Sequence, residues 1–363
     1  MHSSEGASLL RHNIVCSILS KKPLHITNIN SDKDPIGIQM YEANFLKFID
    51  RVTSGSSFQT QDHNTSLVFT PGMILGGVFS HEVPSPRCVT YLLEVAVLLL
   101  PFAKFDSRIT FVGATQGALD LSVDTFRTVT TRWLQLFGLQ CGIRTISRGA
   151  TPGGGGAVIL EVKALRKISY AVSESRGRVR RIRGIAFGCR TAPDLPQRSA
   201  TTAKGFLLNL IPDVYIVTDV DAGGSRRNES SSGYGVMLVA ETTADRCLLS
   251  QETVAHAGEA PEEVGRRAAE LLCDQIYEGG CVDGHHQMMV LLLMAVASSD
   301  APSSMRFGKL TPGAVSIMVL IQSYFGVTFG QREEESFAGS KFPPTNLITC
   351  FGSDLVNVWK RSS

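Results

Sequence analysis

The segment Gly279-Gly280-Cys281-Val282-Asp283-Gly284-His285-His286-Gln287 runs straight into Met288-Met289-Val290-Leu291-Leu292-Leu293-Met294, and no other stretch constrains the chain as strongly. The apolar run is too long for a typical strand and too short to span a bilayer, so it reads as a fully buried helix. A polar, glycine-rich turn therefore sits at the mouth of a core helix. Backbone N–H groups are unpaired at such a place and can hold an anion.

The rest of the chain must supply the cover for that helix. Apolar residues make up 43% and charged residues 19%, ordinary values for a globular protein with a large core. The length suits two or three domains, or one large one. Net charge is only +2, so a nucleic-acid surface has to come from local clustering. No two of the eight cysteines lie within four residues of each other, which excludes a C-x-x-C zinc or redox motif. Scattered thiols inside apolar runs fit a reducing compartment. The polar stretch Met1–Gly6 leads into no signal-peptide core. The expectation is an intracellular soluble protein, cytosolic or nuclear, with no membrane partner.

Strand and helix patterns alternate along the chain. Helices are expected at Tyr41–Val52, Tyr91–Phe102 (broken near Pro101), Leu121–Leu136 (capped by Asp120 or Ser122 and closed by Gly138), Gln197–Asn209, Glu262–Ile276 and from Thr311-Pro312 onward. Strands are expected at Ser66–Phe69, Arg108–Val112, Ala157–Val162, Val214–Thr218, Tyr234–Ala240, Met305–Phe307 and Val327–Phe329. The stretch Asp221–Gly233 reads as a mobile loop, and Gln331–Ser340 as a loose polar tail. This order gives an α/β (α+β) protein, with helices layered on several small sheets.

The densest basic cluster is Arg176, Arg178, Arg180, Arg181 and Arg183. On a strand, Arg176, Arg178 and Arg180 point one way and Arg181 and Arg183 the other. Such a cluster suits RNA phosphate or an acidic protein segment; the alternative is a solvated edge strand protected by charge. Arg144 and Arg148 approach the Gly153–Gly156 run and extend the same surface. His256, Glu259, Glu262 and Glu263 superficially suggest a metal, but acids are favoured at a helix start by the dipole alone, so no metal is expected.

Several motifs, in one common order, resemble the RNA 3'-terminal phosphate cyclase family. They include Leu10-Arg11 with Ile14-Val15 and Leu19 to Pro23; Tyr41-Glu42-Ala43-Asn44-Phe45-Leu46; Phe69-Thr70-Pro71-Gly72-Met73-Ile74-Leu75-Gly76-Gly77; Arg148-Gly149-Ala150-Thr151-Pro152; and Gly258-Glu259-Ala260-Pro261-Glu262-Glu263-Val264-Gly265. The resemblance implies a core of repeated βα units over 1–184 and 281–363, with a small α/β domain inserted at 185–280. Cyclases activate an RNA terminal phosphate through a histidine–AMP intermediate, with that histidine in a His-x-x-x-Gln pattern before the apolar helix. Counting back four from Gln287 gives Asp283. That departure matches the cyclase-like branch of ribosome-assembly proteins, which keeps the fold and loses the chemistry. Aligned from Val282 instead, His285 takes the nucleophile's place, but a two-residue deletion would rotate the helical face by about 200°. His285 and His286 otherwise read as a polar turn in contact with solvent.

Likeness to this branch implies a nucleolar factor of small-subunit pre-rRNA processing. Its partners would be a ribosome-assembly GTPase, pre-rRNA and the U3 small nucleolar ribonucleoprotein, and it would use no cofactor. An endoribonuclease of 18S maturation and an active cyclase using His285 are the competing expectations. Arg148, Arg176, Arg178, Arg180, Arg181 and Arg183 are the expected RNA or partner contacts.

Overall fold

Three stretches of the chain follow one plan. The computed structural model describes residues 2–221, 231–244, 247–335 and 342–360. In the first unit a strand, His2–Glu5, leads through a helix, Leu10–Ser20, to a parallel neighbour, Leu24–Thr27. A second helix, Met40–Val52, precedes an antiparallel pair, Ser57–Gln61 and Ser66–Thr70. The second unit repeats this order with Val78–Glu82, Thr90–Leu99, Ser107–Gly113, helical turns over Val123–Leu136, Cys141–Ser147 and Gly156–Val162. The third does so with Val172–Ser173, Gln287–Val296, Ser303–Phe307, Pro312–Phe325, Gly330–Glu334 and Thr345–Cys350. In each sheet the last strand of the unit lies between the second and the third.

Burial separates the two helices of a unit. The first helix is covered on nearly every side: in Thr90–Leu99 only Glu94 escapes burial, and in Gln287–Val296 only Met288. That is the physical reason for their unbroken apolar sequences. The second helix carries one stripe, as Phe45, Phe48, Ile49 and Val52 do in Met40–Val52. Its start is fixed by Glu42, whose carboxylate accepts the Gln39 N–H at 2.8 Å. In the second unit, Ser122 caps the helix by accepting the Thr125 N–H, and a π-helical stretch, Phe126–Thr130, widens it before Thr131–Leu136.

Between the first strand and first helix of the third unit lies a separate layer. Its sheet runs in the order Val214–Asp221, Val179–Cys189, Gly233–Thr242, Leu248–Val254, and the helices Asp194–Leu208 and Pro261–Glu278 pack together on it. The helices approach closely at Gly265, where an added Cβ would fall 2.2 Å from the Ser199 carbonyl oxygen. The expected division at 184/185 falls inside the strand Val179–Cys189, which pairs from Val179 onward with Gly233–Thr242; the inserted sheet therefore starts upstream of it. The chain leaves beside Ser303–Phe307, where Ser173 pairs with Met305, and rejoins it where Val282 pairs with Phe307. Gly280, at φ +77°, makes the return possible, since a Cβ there would sit 2.2 Å from the Gly308 nitrogen.

Some expectations need correction. Val327–Phe329 is not a strand; the strand is Gly330–Glu334, paired with Thr345–Cys350, so the supposed loose tail begins as ordered structure. Residues 336–340 of that tail, and 222–230 of the expected mobile loop, lie outside the described residues. Among the described residues no helix is long and apolar enough to cross a membrane.

Candidate functional site

The turn before the third unit's first helix is a closed hydrogen-bonded structure. Gln287 opens the helix and is buried, its side chain donating to the Lys309 carbonyl at 2.9 Å and accepting the Thr311 N–H at 2.8 Å. Asp283 is fully buried. Its Oδ1 lies 2.5 Å from His286 Nδ1 and 3.1 Å from the His286 backbone nitrogen. Its Oδ2 accepts from Ser250 Oγ at 2.6 Å and from the Ser250 N–H at 3.0 Å. His286 Nε2 meets Thr130 Oγ1 at 2.8 Å. Thr130, His286, Asp283 and Ser250 are all buried.

One chain of polar contacts thus joins the π-helical stretch of the second unit, the mouth of the third unit's helix and the inserted sheet. Burial pushes the Asp283 carboxyl up, but His286, His285 and Ser250 together prevail and hold it at about 2. His286 is therefore not the solvent-facing turn residue expected from the sequence. Its partner Thr130 lies 156 positions away, a pairing no local pattern signals. His285, by contrast, is exposed, with Nε2 3.1 Å from Gln251 Oε1.

Arg148 also departs from expectation. Instead of extending a basic surface it is buried, pinned between two carboxylates. Its Nη1 and Nη2 donate to Asp124 at 2.6 and 3.1 Å, and its Nε and Nη2 donate to Asp219 at 3.1 and 2.6 Å. Burial disfavours the charged guanidinium, but Asp124 and Asp219 outweigh it and raise its pKa. Asp124 belongs to the second unit and Asp219 to the inserted sheet, so this is a second tie between them. A third is Glu252, which accepts from the Ser122 N–H at 2.6 Å and the Ser122 hydroxyl at 2.5 Å, and also from the Thr125 hydroxyl. Gly153–Gly155 lie in the turn between two paired strands, Gly156 opens the second of them, and the Gly153 N–H donates to Ser231 Oγ at 2.8 Å.

The arginine cluster divides. Arg176 and Arg178 precede the strand, and a register shift between Val179 and Arg181 places Arg180 on a bulge, so simple alternation does not hold. Arg176 donates to the Ile276 carbonyl. Arg181 pairs with Glu241 at 2.6 Å, and Arg183 forks onto Asp213 at 2.8 and 3.0 Å. Arg178 and Arg180 are exposed and form no ion pair among the described residues. Glu259 and Glu262, weighed above as metal ligands, pair with Arg267 and Arg198.

The family model described as RNA 3'-terminal phosphate cyclase matches residues 2–330. A "Probable RNA 3'-terminal phosphate cyclase-like protein" of Dictyostelium discoideum is 37% identical, over 98% of this chain and 98% of its own. The "RNA 3'-terminal phosphate cyclase-like protein" of Mus musculus is 33% identical, over 99% and 97%. The "rRNA processing protein rcl1" of Schizosaccharomyces pombe is 33% identical, over 98% and 97%. With its three repeated units, its inserted sheet and these relatives along its whole length, the chain belongs to the RNA 3'-terminal phosphate cyclase family.

Proposed function

We propose that this chain is a ribosome-assembly factor of small-subunit (18S) pre-rRNA processing that performs no cyclase chemistry. It acts in the nucleolus, within the processome that contains the U3 small nucleolar ribonucleoprotein, and binds pre-rRNA and a ribosome-assembly GTPase. The observation that carries this reading is the state of residue 283. At the position where the resemblance implies a nucleophilic histidine stands an aspartate with no exposed surface, both oxygens engaged by His286 and Ser250. A carboxylate enclosed in this way has no path to the α-phosphate of a nucleotide. The fission-yeast relative's description as an rRNA processing protein supports the same role.

The exposure of His285 is the one observation favouring a catalytic alternative, a cyclase or an endoribonuclease. Metal-free cleavage also needs an acid and a phosphate-stabilising cation beside one bond, and Asp283 is committed elsewhere. Two assays test the proposal. Depleting the protein should make 18S precursors accumulate while large-subunit rRNA matures normally. Incubation with labelled ATP should give no protein–AMP adduct. Normal 18S maturation after depletion would overturn the assembly role, and an adduct on His285 would overturn the loss of chemistry.

A further inference from the structure

The arginine strand does not face open solvent alone. Arg180, Arg181 and Arg183 form one wall of a cleft of about 840 Å³, and the second unit's helix supplies Arg127 and Arg132 from the other. Among the described residues, Glu241 is the one carboxylate in the lining. Arg127, Arg181 and Arg183 each pair with an acid, whereas Arg132 and Arg180 are exposed and form no ion pair among the described residues. Like charges gathered between two walls repel one another unless an anion enters. The walls are held at a fixed spacing by the Arg148–Asp124–Asp219 and Glu252–Ser122 ties, so the charge is in place before any ligand arrives.

The chemistry of the lining selects the anion. Guanidinium forks match phosphate oxygens, and the hydroxyl of Thr128 suits sugar and phosphate. Among the described residues no aromatic ring lines the cleft, so bases have no stacking platform there. An acidic peptide would bring apolar side chains needing pockets, and the lining surface is mainly polar. We propose that this cleft, between the inserted domain and the second unit, grips the phosphate backbone of RNA by charge and does not read its sequence. The proposal rests on the reading of the chain as an rRNA-processing factor and places the contact on one surface.

The test is anisotropy with the full chain, using short RNA duplexes of two unrelated sequences and an Asp/Glu-rich peptide as probes. The duplexes should bind alike, with affinity falling as salt rises. The double variant R132E/R180E should melt like the parent, bind at least about tenfold more weakly, and lose about two from the log–log salt slope. The milder R132Q/R180Q should fall between the two. Unchanged RNA affinity in the folded double variant would overturn the proposal. So would a strong preference for one duplex, or peptide binding that is tighter than RNA binding and is lost in R132E/R180E. Loss of 18S maturation on depletion, together with RNA binding that ignores these arginines, would sink the cleft alone and leave the assembly role standing.

Discussion

Asp283→Asn is the sharpest perturbation this structure offers, because it changes almost no volume and removes one charge. Four contacts converge on the carboxylate: the His286 and Ser250 backbone N–H groups, the Ser250 hydroxyl and the His286 ring. The Ser250 hydroxyl can rotate to accept a bond, but a backbone N–H cannot. With its NH2 toward Ser250 the amide leaves the Ser250 N–H buried and unpaired, whereas with its NH2 toward His286 the His286 N–H keeps only the Asp283 carbonyl, at 3.1 Å. An unpaired buried donor costs about 1–3 kcal/mol, and bonds to a charged group contribute about 1.5–3 kcal/mol each. A loss of about 2–4 kcal/mol is expected from these hydrogen bonds. That is a large part of the roughly 5–15 kcal/mol by which a folded protein exceeds its unfolded state. Trp133, buried one turn beyond Thr130 on the same helix, reports the unfolding by fluorescence in a urea titration. The pH dependence supplies a second readout. The Asp283 carboxyl is held at about 2, below the ordinary 3.8, so its contribution is complete above about pH 4 and drains away as pH falls toward 2. D283N should lack that acid limb. A loss below about 1 kcal/mol, with the limb intact, would refute the claim that this charge ties the three parts together.

Asp283→His puts a histidine where the resemblance implies the family's nucleophile, and it should give no labelled AMP adduct, because the position is enclosed; an adduct in an autoradiograph would show that the site opens. Arg148→Ala should cost about 2–4 kcal/mol by leaving buried Asp124 with only the partly exposed Arg127 at 3.2 Å, whereas Asp219→Asn, at a side chain more than half exposed, should cost about 1 kcal/mol or less. Equal urea midpoints for the two variants would contradict this asymmetry. His81 is buried edge-on against Phe48, and burial, with Arg51 adding, lowers its pKa to about 4. The neutral ring's contribution is therefore whole above pH 6.5 and lost as pH falls toward 4; His81→Phe should flatten stability over that window, and an unchanged slope would count against it.

What could be read from the sequence was what local spacing encodes. The stripe Phe45, Phe48, Ile49 and Val52 announced its helix and the apolar run after Gln287 its burial, while the cap was narrowed to Asp120 or Ser122, of which Ser122 is the one. The strand Gly330–Glu334 was missed because its residues are mostly exposed and carry no alternation of polarity. The strand Leu248–Val254 also escaped notice. It brings Ser250 to Asp283 and Glu252 to the second unit, and its sequence, LLSQETV, alternates too weakly to stand out. The candidate site was legible only in part. Counting back from Gln287 found Asp283, but Thr130, Ser250, Asp124 and Asp219 come from distant positions and gave no signal. Arg148 was misread for the same reason: a basic residue looks free until the fold supplies its acids.

The place of the insertion also shapes how the chain finds its fold. In the first unit four residues (6–9) separate the first strand from its helix, whereas in the third unit 113 residues (174–286) do so. Closing the longer loop as a random coil would cost about 3 kcal/mol more, since the entropy penalty grows as the logarithm of length. A folded insert whose two ends both meet the strand Ser303–Phe307 replaces that long coil with a short rigid link. The third unit can therefore assemble cheaply only after the inserted sheet has formed. A chain with a destabilised insert should collect intermediates in which residues 2–162 exchange amide hydrogens slowly and the strand Thr345–Cys350 still exchanges fast.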